Sequence, residues 1–162
     1  MTDVLVVYYS RTGTTETVAH ALAARLGAEI DSIEALTTYA GPLGFMKGIW
    51  HSIRDATPPI RQRLDPRRFR AVVLCSPVWA GKLAGPARTY LGQAGKVPLL
   101  CGVAVSGSGG PQARFFLGME QLGGRDGIPT LSIAQRQVRD GTFERLLDPF
   151  TETVRTQHNE AA

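Results

Sequence analysis

The length, composition and charge of the chain exclude several classes of protein before any motif is considered. With 162 residues, 43% hydrophobic and 20% charged, it has the size and composition of one soluble globular domain that needs neither metal nor disulfide. No apolar run is long enough to span a membrane, and the start lacks the basic and apolar regions of a signal peptide. We therefore predict a cytoplasmic protein with no membrane span.

The distribution of charge along the chain limits the classes of partner that it can bind. The formal charge is +4, and no acidic residue occurs between Pro66 and Met119. The cations of this stretch are Arg67, Arg68, Arg70, Lys82, Arg88, Lys96 and Arg114. They are not interleaved with aromatics on any recognisable nucleic-acid module, so we predict no nucleic-acid partner. A solvated basic face and an attraction for anionic ligands or an acidic partner both remain open.

Cys75 and Cys101 have no metal-ligand spacing and are predicted to be buried.

Five segments are predicted to be strands. Residues 4–9 form a continuous apolar run, which is typical of a strand buried on both faces of a parallel sheet. The other strands are predicted over 28–33, 71–75, 99–105 and 128–133. Helices are predicted before Gly27 and over 85–91, 111–122 and 143–154. Alternating strands and helices predict an α/β, doubly wound, three-layer parallel sheet, and five strands at this length fit the order 2-1-3-4-5.

For one helix the apolar spacing also predicts which side faces the core. In the helix predicted over 111–122, Phe115, Met119 and Leu122 form an inward stripe, and Pro111 suits the first turn.

The segment 36–70 is less regular, but apolar residues recur in it at helical spacing. These residues are Phe45, Met46, Ile49, Trp50 and Ile53. We predict an amphipathic helix that packs this stripe on the sheet, in preference to an element that contacts a cofactor. One domain is predicted over residues 1–156, with a disordered tail over 157–162.

Ligands of such sheets bind outside the carboxyl ends of the strands. This rule singles out the loops 10–15, 76–83 and 106–111. The first loop consists of Ser10, Arg11, Thr12, Gly13, Thr14 and Thr15. Its hydroxyls can donate to phosphate oxygens, Gly13 lets the backbone approach, and the helix that follows contributes free N–H groups and its dipole. A Ser/Thr-rich loop can also serve only as a helix N-cap, but four hydroxyls in six positions favour phosphate binding.

Other uses of this sheet need residues that the chain lacks. A response regulator needs an acidic cluster after the first strand, where Tyr9 and Ser10 stand. A cysteine phosphatase needs an arginine six residues after its cysteine, where Gly81 and Gly107 stand. The GxxxxGK[ST] loop of nucleotide hydrolases and the GxSxG hydrolase elbow are also absent.

The phosphate loop resembles the signature of the flavodoxin family, in which it wraps the terminal phosphate of FMN. The resemblance extends from Val4 to about Val154. It implies a second cofactor loop in which backbone and an aromatic meet the isoalloxazine ring, formed by Pro77, Val78, Trp79, Ala80 and Gly81. It also implies a third loop on the other side of the ring, formed by Ser106, Gly107, Ser108, Gly109 and Gly110. Packing by Trp79, and a role of the glycines in the turn alone, remain alternatives.

The chain departs from one family pattern. Shuttle flavodoxins carry carboxylates around the flavin, whereas the second and third loops here have none and Arg11 and Lys82 are nearby cations. Positive surroundings stabilise a flavin anion that holds an electron pair. The chain therefore resembles the related NAD(P)H-dependent quinone and FMN reductases more than the shuttles. No catalytic acid or base is assigned, and no metal site is predicted.

Three functions follow as hypotheses. The first is an FMN-dependent oxidoreductase that passes electrons from a reduced donor such as NAD(P)H to a small acceptor such as a quinone. The second is a flavodoxin-type one-electron carrier for a redox partner protein. The third is an interaction module of the same fold that binds no flavin. Related reductases are often dimers, which leaves a homodimer open.

Overall fold

A computed structural model describes residues 3–161 of the chain. Met1, Thr2 and Ala162, which belong to the predicted domain and tail, lie outside the described residues. The strands are β1 (Val4–Tyr8), β2 (Glu29–Ser32), β3 (Glu34–Ala35), β4 (Ile60–Arg61), β5 (Ala71–Trp79), β6 (Lys82–Leu83), β7 (Leu99–Ser106) and β8 (Thr130–Ala134). The helices are α1 (Thr14–Leu26), α2 (Gly41–Ile53), α3 (Gly85–Ala94), α4 (Ala113–Gly123), α5 (Gln135–Asp140) and α6 (Glu144–Glu160).

The main sheet confirms the predicted topology. Its five parallel strands have the order β2-β1-β5-β7-β8, which is 2-1-3-4-5 when only these strands are counted. The short strands β3 and β4 form a separate antiparallel pair, and β6 pairs antiparallel with β5. Within the described part of the chain, no helix is both long and apolar enough to cross a membrane.

The core lies on both faces of the sheet, because successive side chains of a strand point to opposite faces. Leu5 packs in the cluster that contains Tyr90 of α3 and Met119 of α4. Val6 packs in the cluster that contains Leu22 of α1 and Leu147 of α6. The result is the predicted three-layer arrangement of helices, sheet and helices.

The two cysteines are buried, as predicted. Cys75 and Cys101 lie on the neighbouring strands β5 and β7 and belong to one apolar cluster. Burial raises the pKa of the Cys101 thiol to about 12, so it stays protonated at neutral pH.

The end of the chain differs from the prediction. Helix α6 continues to Glu160, so residues 157–160, predicted to be a disordered tail, are helical. Polar contacts hold α6 on α1. Arg25 Nε donates to Asp148 Oδ1 at 3.0 Å, and Arg25 also pairs with the Glu144 carboxylate. Val154 of α6 is buried in the apolar cluster that also contains residues of α1, so apolar packing adds to these polar contacts.

Two predictions about helix α4, the positions of Pro111 and Leu122, are wrong. It begins at Ala113 after an N-cap at Gln112, so Pro111 precedes the helix instead of occupying its first turn. Phe115 and Met119 are fully buried, but Leu122 is 39% exposed and does not belong to the inward stripe.

Helix α2 exists as predicted, but the side that faces the protein is not the predicted one. The side facing the protein consists of Gly44, Gly48 and Ser52. Four of the five residues of the predicted inward stripe are exposed: Phe45, Met46, Trp50 and Ile53. The reason is steric. A Cβ at Gly48 would lie 2.9 Å from Cζ3 of Trp79, so a side chain at this position would clash with the ring.

The segment after residue 75 is a hairpin and not a loop. Strand β5 continues through Trp79, and β6 returns beside it with Val78 opposite Leu83 and Trp79 opposite Lys82. The two turn residues, Ala80 and Gly81, have φ angles of 52° and 74°. Positive φ at both central positions is the geometry of the tight turns that match the twist of a two-stranded ribbon.

This turn yields a stability prediction. The left-handed region costs a side-chain-bearing residue about 1–2 kcal/mol, and glycine loses about 0.4–1 kcal/mol through its freer unfolded state. We therefore expect Ala80→Gly to raise the free energy of unfolding by about 0.5 kcal/mol and Gly81→Ala to lower it by about 1 kcal/mol. Urea denaturation of both variants checks this pair, and a stabilising Gly81→Ala would contradict the turn geometry.

Candidate functional site

The three predicted loops meet at one cavity of about 320 Å³. It opens at the carboxyl ends of β1, β5 and β7, where the topology rule places ligands. The lining residues are Ser10, Arg11, Thr12, Thr14, Thr15, Phe45, Pro77, Val78, Trp79, Val105, Gly107 and Gln135. Nine of the sixteen residues predicted as cofactor-binding are therefore brought together.

The first loop leaves hydroxyl donors available. Ser10 Oγ accepts the Gly13 N–H at 3.0 Å, which closes the loop and still leaves its own proton free to donate. Among residues 3–161, the hydroxyls of Thr12, Thr14 and Thr15 have no hydrogen-bond partner. Helix α1 begins directly after Gly13, so its first N–H groups point out of the helix toward the loop. This arrangement suits an anion with several oxygens.

The second loop contributes only part of its predicted set. Pro77, Val78 and Trp79 line the cavity, whereas Ala80 and Gly81 form the turn of the hairpin and do not.

Trp79 lines the cavity and also packs in an aromatic cluster. Its side chain is 4% exposed. Its ring meets Tyr9 edge-on at 5.5 Å and Tyr39 at 5.2 Å between centroids. Burial raises the pKa of Tyr9 to about 12, so the phenol stays neutral. The cluster holds the indole in one position, which combines the packing and cavity roles that the sequence left as alternatives.

The third loop places only Gly107 at the cavity. Buried Ser106 organises the turn, because its Oγ accepts from Gly109 N at 2.8 Å and from Gln112 Nε2 at 3.3 Å. Ser108 is exposed, and its hydroxyl contacts the carbonyl of Gly109. Of the predicted residues, Gly13, Ser106, Ser108, Gly109 and Gly110 serve the loops without lining the cavity.

Three lining residues were not predicted. Phe45 is 41% exposed at the edge of the cavity, with the Arg11 guanidinium 5.1 Å above its ring. Val105 precedes the third loop within β7, and Gln135 directly follows β8. The rule about strand ends would have found Gln135 had it been applied to the last strand as well. Phe45 was missed because the apolar stripe of α2 was predicted to face the sheet.

The charges around the cavity differ partly from the prediction. None of the described residues that line it is Asp or Glu, and Arg11 is the cation. Lys82, predicted to lie near the same site, instead pairs with Asp55 at 2.9 Å and lines another cavity. Glu16 is in the first turn of α1, where its carboxylate accepts the Tyr8 hydroxyl at 3.1 Å. The cavity is thus lined by one cation and otherwise neutral groups.

No protein-family profile and no curated protein sequence matches the chain. Solved structures do. A flavoprotein from Lactobacillus acidophilus NCFM in complex with FMN is 17% identical with a TM-score of 0.68, covering 86% of this chain and 98% of its own. A short-chain flavodoxin associated with a bacterial microcompartment is 13% identical with a TM-score of 0.58, covering 98% and 99%. An azoreductase from Bacillus anthracis str. Sterne is 15% identical with a TM-score of 0.51, covering 99% and 100%.

These similarities extend over nearly the whole chain at low sequence identity, so they bear on architecture. Together with the strand order, they establish that this chain has the flavodoxin-like fold.

Proposed function

We propose that the chain binds one FMN non-covalently and uses it to pass electrons from a reduced donor such as NAD(P)H to a small acceptor such as a quinone. The observation that carries this proposal is the single cavity that combines the hydroxyl-rich first loop with Val78, Trp79 and Gly107. Flavins supply the electron-transfer chemistry, while the protein sets their orientation and potential.

The residues present fit the phosphate of FMN. Thr12, Thr14 and Thr15 would donate from hydroxyls that have no other described partner, and Ser10 would donate while it accepts from Gly13. Arg11 adds a positive charge at the same end of the cavity. Hydrogen bonds to charged groups contribute about 1.5–3 kcal/mol each, so several of them give substantial affinity.

The other end of the cavity fits a flat aromatic ring. Val78 and Val105 offer apolar contacts, and the fixed indole of Trp79 borders the space. Gly107 offers backbone without a side chain in the way. The exposed ring of Phe45 would cover part of the opening.

The charge distribution favours two-electron chemistry. A carboxylate beside a flavin opposes the negative charge of a fully reduced ring, whereas a cation favours it. The described lining has Arg11 and no carboxylate. The azoreductase among the similar structures supports an enzyme, and the flavodoxin supports a carrier.

A reductive titration of the FMN-loaded protein separates the two. We expect the flavin to pass directly to the two-electron-reduced form, with the one-electron-reduced form a minor species throughout. We also expect steady-state oxidation of NADH or NADPH when a quinone is added. Extensive accumulation of the one-electron form, together with no turnover, would contradict the oxidoreductase and support the carrier.

The carrier remains the second candidate because the chain is basic and the similar structures include flavodoxins. Such a carrier would dock on an acidic partner through its cationic surface. The third candidate, an interaction module without flavin, is excluded if the purified protein binds FMN.

A further inference from the structure

A second cavity, of about 400 Å³, shares no lining residue with the cofactor cavity. Helix α4, strand β6, helix α3 and the turn after α2 enclose it. The lining residues are Asp55, Lys82, Leu83, Arg88, Arg114, Leu117, Gly118, Gln121 and Leu122. The volume is within the range of small-molecule sites.

The lining has more positive than negative charge. Asp55 is the one carboxylate among the described lining residues, and it is shared by Lys82 Nζ at 2.9 Å and Arg88 Nη2 at 3.4 Å. The hydrogen bond from Lys82 lowers the pKa of Asp55, so this carboxylate stays ionised at neutral pH. Arg114 makes no ion pair within residues 3–161. Three cations face one anion, which leaves an excess of two positive charges.

One of these cations is built into the protein. The Arg88 side chain is 9% exposed. Its guanidinium donates to the carbonyls of Ala56 and Leu83, both at 3.2 Å. These bonds and the burial of the side chain hold the guanidinium at the cavity.

Part of the lining is apolar. Leu117 and Leu122 of α4 are 53% and 39% exposed, although both line the cavity. Covering such surface contributes about 25 cal/mol per Å² of apolar area. An inorganic anion would leave these side chains in water, whereas an anion that carries an apolar group would cover them.

We propose that this cavity binds a small organic anion with an apolar group, such as an aromatic carboxylate or an aromatic phosphate monoester. The anionic end pairs with Arg114 and Lys82, and the apolar end packs on Leu117 and Leu122. The site adjoins the cofactor cavity through the hairpin, because Lys82 and Leu83 pair with Trp79 and Val78, which line the other cavity.

Calorimetric titration of the purified full chain without FMN tests this proposal. The probes are benzoate and phenyl phosphate. Two controls each lack one feature: acetate has the negative charge but no aromatic group, and benzyl alcohol has the aromatic group but no charge. We expect at least one of the two aromatic anions to bind more tightly than about 1 mM at a site that depends on Arg114. Phenyl phosphate can also occupy the empty cofactor cavity, and a second site that depends on Arg11 would report that binding. Acetate and benzyl alcohol are expected to bind at least about tenfold more weakly.

Variants assign the bound anion to its cavity. Arg114→Gln is expected to weaken its binding about tenfold. The matched control, Arg125→Gln, removes the same charge from an exposed residue that does not line the cavity, and should leave the affinity unchanged. The proposal is overturned if neither aromatic anion saturates the protein, if acetate binds equally well, or if Arg11→Gln abolishes binding while Arg114→Gln does not.

Discussion

Replacing Thr12 and Thr14 together by valine is expected to weaken FMN binding by about a hundredfold. Valine keeps the shape of each side chain but removes the hydroxyl, and both residues line the cofactor cavity. The loss of one hydrogen bond to a charged oxygen is worth about 1.5 kcal/mol. Two such losses amount to about 3 kcal/mol, which is about two powers of ten in affinity. Fluorescence quenching of FMN titrated with each protein measures the change.

Riboflavin provides the matched control because it has the same ring without the phosphate. Its affinity should change by less than about threefold in the double variant. Equal losses for FMN and riboflavin would mean that the threonines maintain the fold or contact the ring, and would contradict a phosphate site in the first loop.

Gly44→Ala is expected to lower the free energy of unfolding by about 3 kcal/mol, the upper part of the range for overpacked cores. A Cβ at this position would lie 2.3 Å from the carbonyl carbon of Tyr39. The obstacle is backbone, which cannot rotate away as a side chain can. The ring of Tyr39 also packs on Trp79, so a shift of α2 would spread into the aromatic cluster beside the cofactor cavity.

Gly92→Ala is the matched control for this variant. Gly92 lies in helix α3, and a Cβ there would meet no atom within 4 Å. Alanine is favoured over glycine in a helix by about 0.5–1 kcal/mol, so this variant should be more stable than the parent protein. Urea denaturation compares the two, and equal stabilities would contradict the close approach of α2.

The sheet could be predicted from sequence because its strands are buried on both faces. Continuous apolar runs such as residues 71–75 identify these strands with little ambiguity. Strand order then follows from the number of strands and the helices between them, and the loops follow from the strand ends. Ser10 and Gly107 were therefore correctly predicted to lie at the same edge of the sheet.

Helix α2 could not be oriented in the same way. Apolar periodicity marks a stripe, but the stripe faces the core only where the surface opposite has room for side chains. Here the ring of Trp79 occupies that space, and only a residue without a side chain, Gly48, can pack against it. The exposed Phe45 therefore lies at the cavity, a contact that depends on long-range packing and leaves no local signal.

The hairpin was misread for a related reason. Pro77 and Gly81 are typical of loops, yet Pro77 lies within β5, opposite Val105 of β7. The chain reverses at Ala80 and Gly81, and this places Lys82 where it forms an ion pair with Asp55. The ion pair joins residues 27 positions apart, and the sequence contains no local pattern that predicts it.

The visible spectrum of the purified protein after incubation with FMN and removal of unbound flavin tests the central claim most directly. We expect a bound-flavin spectrum with one FMN per chain, and we expect the chromophore released by denaturation to be FMN. A colourless protein that retains no flavin after this treatment would contradict the proposal that the cavity at Ser10, Trp79 and Gly107 is a flavin site.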